Sequence, residues 1–295
     1  MNFSKAMLNN AFKLIIAALV AALALRSVSM RFFFDYSTGF YTDSGLTAWL
    51  SLLIPLTLVG AAALFCKTGL PSLGSYQLRR SPVLAVFAAL SGGVLVVSAL
   101  TMAKDYMLFL DSGFSQFDSV RQGFNHQLYM IASFLLGLVQ LAVAGALLSG
   151  KDIFKKLSLL YMVAVVWGAS NMVMVYVFYA KSSSVAENIF SMGGAAALLL
   201  SLLYLCRLLA GVEAQGAGLR LFLWGGVAAV LAIPYYGVDL IQRALGYVYA
   251  GEVPPQCQLS GLAMGVFVLA FLASVQKRGH EAGEPAGQHY KEQDE

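Results

Sequence analysis

The feature that most constrains the fold is a series of eight apolar stretches, each about 20 residues long, spread along a chain of 295 residues. An α-helix needs about 20 consecutive apolar residues to cross the roughly 30 Å of hydrocarbon in a bilayer. Each stretch is therefore predicted to be a membrane-spanning helix. The predicted spans are residues 9–28, 46–66, 82–104, 128–149, 157–179, 189–211, 221–243 and 259–276.

The composition excludes an ordinary soluble globule. Only 12% of the residues are charged and 59% are apolar, whereas a soluble domain is about one quarter charged. The mean hydropathy is +0.74, and the segments between the spans are too short to fold as soluble domains. The predicted fold class is an all-α integral membrane protein, with one polytopic domain over residues 1–276 in contact with the lipid bilayer.

The last 19 residues, KRGHEAGEPAGQHYKEQDE, reverse this composition. Such a segment has too little apolar surface to offset the entropy lost on ordering. Residues 277–295 are predicted to be a disordered cytoplasmic tail. Its His280 and His289 are expected to be solvated, because two isolated histidines in a flexible tail rarely form a metal site.

The distribution of Lys and Arg predicts the orientation, since positively charged connections tend to stay cytoplasmic. Thirteen of these residues lie at the N-terminus, in every second connection and in the tail: Lys5, Lys13, Lys67, Arg79, Arg80, Lys151, Lys155, Lys156, Arg207, Arg220, Lys277, Arg278 and Lys291. Six lie in the alternate set: Arg26, Arg31, Lys104, Arg121, Lys181 and Arg243. Both termini are therefore predicted to be cytoplasmic, and the net charge of +4 reflects topology. The basic residues do not gather on one exposed face as a nucleic-acid site requires.

The first span allows a second interpretation. Its uninterrupted apolar core, residues 14–25, follows a basic start and contains Ala22-Leu23-Ala24, a pattern that is also typical of a cleavable signal peptide. Retention predicts eight spans, and cleavage predicts seven.

Cysteine and histidine usage predicts no metal site or cofactor. Cys66 and Cys206 fall at predicted cytoplasmic ends of spans, where thiols stay reduced, and Cys257 is alone on the outer side. No spacing of Cys or His is typical of zinc, haem or an iron–sulfur cluster. No phosphate-binding, zinc-protease or dinucleotide motif occurs.

The sequence RFFFDYSTGFYTDSG, residues 31–45, interrupts the apolar pattern on the predicted outer side. Residues 108–119 follow the same order of an aromatic run, Asp, Gly-Phe and Asp-Ser. The loop carboxylates Asp35, Asp43, Asp111 and Asp118 are candidate ligands for a hard cation or an acid/base pair. Their sequence context favours a simpler role, in which each caps a turn or a helix.

The spans themselves hint at an internal repeat. Gly92-Gly93, Gly168-Ala169 and Gly225-Gly226 each precede a charged residue by about a dozen positions. One hypothesis is four helical hairpins repeated in the same orientation, as parallel repeats are in some transporters. The alternative is that this spacing does not reflect a repeat, because membrane proteins in general have Gly at helix contacts and charged residues at helix ends.

The seventh span carries the least ordinary sequence, IPYYGVDLIQR at residues 233–243. Pro234 is expected to kink the helix, and a run of polar side chains follows three or four residues apart. Asp239 and Arg243 have the spacing of an i,i+4 ion pair at the headgroup boundary. The functional alternative is a ligand or ion site that lines an outward vestibule, since ionisable groups in the membrane are functional candidates by default. Its predicted members are Tyr235, Tyr236, Asp239, Arg243, Lys104 and Asp105, with Gln242 on the same helix face.

Two amides and two glycines within the spans are expected to have structural roles. Gln140 and Asn171 are expected to make hydrogen bonds between helices, and the spacing of Gly261 and Gly265 favours close helix packing.

Three function classes stay open at the level of the sequence. The leading hypothesis is a non-enzymatic membrane subunit or scaffold, packed against other membrane proteins, in a bacterial cytoplasmic membrane. The second is a small-molecule or ion carrier, which should show polar breaks in symmetry-related spans. The third is an outward-facing enzyme acting on lipid or cell-wall precursors through the loop Asp residues; a serine hydrolase would have to depend on His126 and lacks the Gly-x-Ser-x-Gly motif.

Overall fold

The structure is a computed structural model that describes residues 2–69, 80–111, 120–150, 158–176, 184–210, 217–249 and 252–281. Within these ranges the chain forms eight α-helices and one two-stranded antiparallel hairpin. The elements are α1 (Asn2–Phe32), β1 (Phe34–Asp35), β2 (Phe40–Tyr41), α2 (Leu46–Gly69), α3 (Pro82–Asp111), α4 (Val120–Ser149), α5 (Met162–Met174), α6 (Val185–Leu209), α7 (Ala217–Ala244) and α8 (Pro255–Glu281).

Seven of these helices are long and apolar enough to cross a membrane, which confirms an all-α, multi-pass membrane protein. Their outer faces carry exposed apolar side chains such as Leu53, Leu64 and Val97. A helix face of this kind is stable against lipid chains and would be costly in water. The protein therefore contacts the lipid bilayer.

The predicted span 157–179 corresponds to a shorter helix. In the part of that span that the structure describes, a 3-10 turn (Ser158–Tyr161) leads into α5, and residues 175–176 form a π-helical turn. At 13 residues, α5 alone is shorter than the roughly 20 residues that a span needs. The count of eight spans stays a prediction.

The contacts of α5 show that it runs along the bundle from one end towards the other. At its start, Tyr161 accepts a hydrogen bond from Cys206 near the end of α6, with 3.1 Å between Sγ and the carbonyl oxygen. Further along, Trp167 Nε1 donates to Ser133 Oγ of α4 at 3.0 Å, and Asn171 lies next to Tyr236 of α7. That both termini are cytoplasmic stays a prediction.

Helix α7 is the central element of the bundle, because 78% of its most apolar segment is buried. It packs against α1, α2, α6 and α8. A Cβ atom added at Gly226 would lie 2.9 Å from Ile15 Cδ1 of α1. A Cβ atom at Gly261 of α8 would lie 2.2 Å from the Tyr236 ring, and one at Gly265 would lie 3.1 Å from Ile233 Cγ1. The predicted close packing at Gly261 and Gly265 is confirmed.

Helices α3 and α4 form a second close contact on the side of the bundle away from α1. Gly92 and Gly137 face each other, and a Cβ atom on either would lie 2.9 Å from the carbonyl oxygen of the other. The hairpin repeat stays a prediction, because close packing through small residues is a general property of membrane helices.

The hairpin that follows α1 is a local departure from the all-α expectation. Phe34 pairs with Tyr41 and Asp35 pairs with Phe40, and Gly39 closes the turn with φ of +76°. Phe34 is 6% exposed and Phe40 is 56% exposed, so the two strands present one face to the bundle and the other outwards.

The last helix extends beyond the predicted span end at residue 276, because α8 continues through Glu281. Residues 282–295 of the predicted tail lie outside the described residues.

Candidate functional site: a buried charge cluster

A fully buried arginine organises the end of the bundle that holds the hairpin. Arg26 lies in the last third of α1 and is 0% exposed. Its Nη1 donates to Glu187 Oε1 at 2.9 Å and its Nη2 donates to Glu187 Oε2 at 2.8 Å. Two parallel bonds between a guanidinium and a carboxylate are the strongest geometry that an ion pair adopts in proteins.

Glu187 is placed by the start of α6. Ser184 precedes that helix in an extended conformation, and its hydroxyl accepts a hydrogen bond from the Glu187 backbone N–H at 3.3 Å. The side chain of Glu187 is buried at 1% exposure and points towards Arg26.

Asp239 of α7 completes the buried charge cluster, the name used below for Arg26, Glu187 and Asp239. Arg26 Nη2 donates to Asp239 Oδ1 at 2.7 Å. The second carboxyl oxygen, Oδ2, is buried and accepts no hydrogen bond from any described residue. Three helices that are distant in sequence therefore meet at one guanidinium.

The i,i+4 ion pair predicted between Asp239 and Arg243 is wrong. Arg243 pairs instead with Glu252, with Nε 3.2 Å from Oε1 and Nη2 3.1 Å from Oε2. Gln258 Nε2 also donates to Glu252 Oε1 at 2.9 Å. Arg243 lies one turn nearer the end of α7 with a half-exposed side chain, whereas Asp239 points into the bundle and meets Arg26.

Aromatic rings surround the Arg26 guanidinium. Its Cζ lies 4.8 Å from the centroid of Phe190 and 4.9 Å from the centroid of Tyr235. A cation close to an aromatic face is stabilised by the negative potential of the ring, and more strongly when water is excluded.

The hairpin covers the cluster from outside. The Tyr41 hydroxyl donates to Glu187 Oε1, and Phe34 makes edge-to-face contacts with Tyr36, Tyr41 and Tyr249 at centroid distances of 5.0–5.1 Å. These four residues are called the aromatic roof below. The inward rings of residues 31–45 thus close the polar site.

The roof tyrosines are held in their neutral form. Burial, with the Glu187 carboxylate as the second cause, raises the pKa of Tyr41 well above its usual value. Burial also raises the pKa of Tyr36 to about 12. Both hydroxyls therefore act as hydrogen-bond donors at physiological pH, Tyr36 to the Met30 carbonyl at 3.0 Å.

The predicted outward vestibule is not open in this structure. Tyr235, Tyr236 and Asp239 are between 1% and 3% exposed. Tyr236 packs edge-to-face on Tyr235 and receives a long hydrogen bond of 3.5 Å from Asn171 Nδ2. Gln242, on the same face of α7, is buried as well. The polar face of α7 turns into the bundle as expected, but side chains fill the space beside it.

Lys104 and Asp105 do not join the cluster. Asp105 Oδ2 accepts a hydrogen bond from Gln256 Nε2 of α8 at 2.8 Å, and Lys104 is exposed. Helix α3 packs mainly against α4 and α8, whereas the cluster lies between α1, α6 and α7. His126 is also elsewhere, with its ring stacked on Tyr106.

The capping role predicted for the loop carboxylates is confirmed for two of the four. Asp35 accepts bonds from the Ser37 hydroxyl, the Ser37 N–H and the Thr38 hydroxyl at 2.7–2.9 Å, and the bond from Ser37 is the main cause that lowers its pKa. Asp43 accepts from the backbone N–H groups of Gly45 and Thr47, which caps the start of α2. The Asp111 side chain and Asp118 lie outside the described residues, so the match between the two loops stays a prediction.

The two span amides behave as expected. Gln140 Nε2 donates to the Tyr161 hydroxyl at 3.1 Å, and Asn171 reaches α7, so both predicted hydrogen bonds between helices are confirmed.

Sequence reasoning missed Arg26, Glu187, Glu252 and Tyr41 as members of a site. Arg26 counted as a charge at a span end, and Glu187 follows Ser184 with the Ser-x-x-Glu spacing of a helix cap. A usable signal was present for Arg26, because an Arg that follows Ala24-Leu25 and precedes Ser27-Val28-Ser29-Met30 within one apolar stretch is costly against lipid.

The fold and this cluster define the class: a multi-pass α-helical membrane protein with an ionic site buried between its helices. No known protein family, curated protein or solved structure matches this chain. In the part of the chain that the structure describes, no group of three His, Cys, Asp or Glu side chains is placed to hold a metal ion.

Proposed function

We propose that the chain is a non-enzymatic subunit or scaffold of a bacterial cytoplasmic membrane, and that the buried charge cluster fixes the arrangement of helices that a partner protein recognises. The observation that carries this proposal is the Arg26 guanidinium, which bonds to carboxylates from α6 and α7 with no exposed surface.

The energetics favour a role in specificity over a role in bulk stability. Removing a charge from water costs several kcal/mol, and a buried pair often contributes no more than apolar side chains of the same size. A guanidinium that must satisfy two carboxylates on two helices does so in one arrangement only. The cluster therefore excludes alternative packings of α1, α6 and α7.

A carrier is the second candidate, and one observation favours it. The cluster contains two carboxylates and one guanidinium, and Asp239 Oδ2 has unused acceptor capacity. A carrier would expose this oxygen to one side of the membrane by moving the aromatic roof.

An outward-facing enzyme has less support. Asp35 and Asp43 are both engaged as caps within their own loop, so neither is free to act as an acid or base on a substrate.

The test is native mass spectrometry of the protein purified gently from its own membrane, with two matched arginine variants on α1. We expect a second protein at fixed stoichiometry with the wild type and with Arg31→Ala, whose side chain is exposed and lies over Tyr247. Arg26→Ala should lose that protein. Purification of the wild type by itself would contradict the proposal, as would solute or cation flux by the purified chain in proteoliposomes, which would favour the carrier.

A further inference from the structure

The charge cluster and its neighbours hold one carboxylate more than they hold guanidinium groups. Arg243 and Glu252 form one balanced pair. Arg26 is the only guanidinium that bonds to Glu187 and Asp239 within the described residues. With both acids ionised, the buried site would carry a net charge of −1.

A buried net charge of this kind is strongly disfavoured. An ionised carboxylate without a full counter-charge in a low-dielectric interior costs many kcal/mol, and such groups become neutral by taking up a proton. The site therefore needs either a proton or a small cation to be stable in the closed arrangement.

The hydrogen bonds indicate which of the two acids, Glu187 or Asp239, takes up the proton. Glu187 receives three donors: both Nη groups of Arg26 and the Tyr41 hydroxyl. Three donors favour the ionised form of a carboxylate. Asp239 receives one donor on Oδ1, while Oδ2 is buried and accepts no bond from the described residues. Oδ2 is thus the position where a proton can be held without breaking an existing bond.

The other groups that face Asp239 do not supply the missing charge. Its electrostatic neighbours are Arg26 from α1, Glu187 from α6, Glu252 from the segment before α8, and the neutral phenols Tyr36, Tyr235, Tyr236 and Tyr249. Arg243 is engaged by Glu252. Arg31 is exposed to solvent at the end of α1, over Tyr247.

We propose that the cluster is a proton-binding site, in which Asp239 holds one exchangeable proton on Oδ2 and the aromatic roof controls its exchange with the outer side. On opening, the proton leaves Oδ2 for solvent water or a buffer base, and the electron pair of the O–H bond stays on the carboxylate. The inference rests on the same closed cluster as the proposed function, but it requires no partner.

The test is infrared difference spectroscopy of the purified protein at neutral pH, which detects the C=O stretching band of a protonated carboxyl group. We expect the band in the wild type and its loss in Asp239→Asn. The band should also be lost in Glu187→Gln, because the charges of Arg26 and of an ionised Asp239 then cancel. Asp105→Asn is the matched control, since this acid lies outside the cluster, and it should keep the band.

A conservative variant protects the test against misfolding. Asp239→Glu keeps a carboxyl group at the site and should move the band without removing it. Absence of the band in the wild type would overturn the proposal. So would its persistence in Asp239→Asn or Glu187→Gln, or an unshifted band in Asp239→Glu.

The role of the roof is tested by the rate at which the same band shifts after transfer into D₂O. Phe34→Ala removes the ring at the centre of the roof and should speed exchange about tenfold, as expected when local opening becomes easier by about 1.4 kcal/mol. Phe40→Ala, on the outward face of the same hairpin, should leave the rate unchanged. Equal rates in the wild type and Phe34→Ala would overturn control by the roof.

The two proposals fail separately. Wild-type protein that purifies without a second protein but shows the band would overturn the proposed scaffold and leave the proton site standing. Wild-type protein that purifies with a second protein but shows no band would overturn only the proton site.

Discussion

Arg26 is the residue that joins three helices at the hairpin end of the bundle. It is 0% exposed and its partners lie 161 and 213 positions away along the chain. A rule about helix neighbours links residues three or four apart, so it pairs Asp239 with Arg243 and cannot reveal a partner on another helix. The capping roles of Asp35 and Asp43 were predictable for the opposite reason, since each bonds to groups two to four residues away.

The phenol of Tyr36 provides a prediction at the residue scale. Its folded-state pKa of about 12 exceeds the value of about 10 for an exposed tyrosine. The stabilisation tied to this shift is fully present below pH of about 10 and is lost as the pH rises through about 12. The wild type should lose stability over this interval, and Tyr36→Phe should lose less. Thermal unfolding of both proteins in detergent measures this, and equal losses would contradict it.

The hairpin and the helix contacts show what the sequence predicts at the scale of elements. The positions of the long helices can be predicted from the length of the apolar stretches alone. The contacts at Gly261 and Gly265 can be predicted because two small residues lie four positions apart. The aromatic roof could not be predicted in this way. It depends on the packing of Phe34 on Tyr249, which lies 215 positions later in the chain.

The contact between α7 and α8 provides a prediction at the same scale. Gly261→Ala places a methyl group where the Tyr236 ring lies, so it should lower stability by about 1–3 kcal/mol. Gly60→Ala in α2 is the matched control, because no atom lies within 4 Å of its added Cβ. That variant should be neutral or slightly stabilising. Unfolding in a denaturing detergent measures both, and an equal effect of the two substitutions would contradict the close packing.

At the scale of the whole molecule, the sequence predicts a polytopic bundle and an orientation. Seven long apolar helices bear out the first part. The orientation is predicted from the distribution of Lys and Arg between the two sides.

Labelling of introduced cysteines tests the orientation. Thr42 is exposed in the hairpin and Ser149 is exposed at the opposite end of the bundle. A membrane-impermeant maleimide should label Thr42→Cys on intact cells, and Ser149→Cys only after permeabilisation. The native thiols Cys206 and Cys257 are buried, and both labelling variants also carry Cys66→Ser to remove the third native thiol. The reverse pattern would show that the hairpin faces the cytoplasm.

The central claim, that Arg26 and Glu187 hold the helices together as a bonded pair, is tested most directly by a double-mutant cycle. The free energy of unfolding is measured for the wild type, Arg26→Met, Glu187→Leu and the double variant. Arg26→Met should lose about 3–5 kcal/mol because it leaves Glu187 without its partner, and Glu187→Leu should lose less because Arg26 keeps Asp239. The double variant should lose less than the sum of the two. Losses that simply add would contradict the claim.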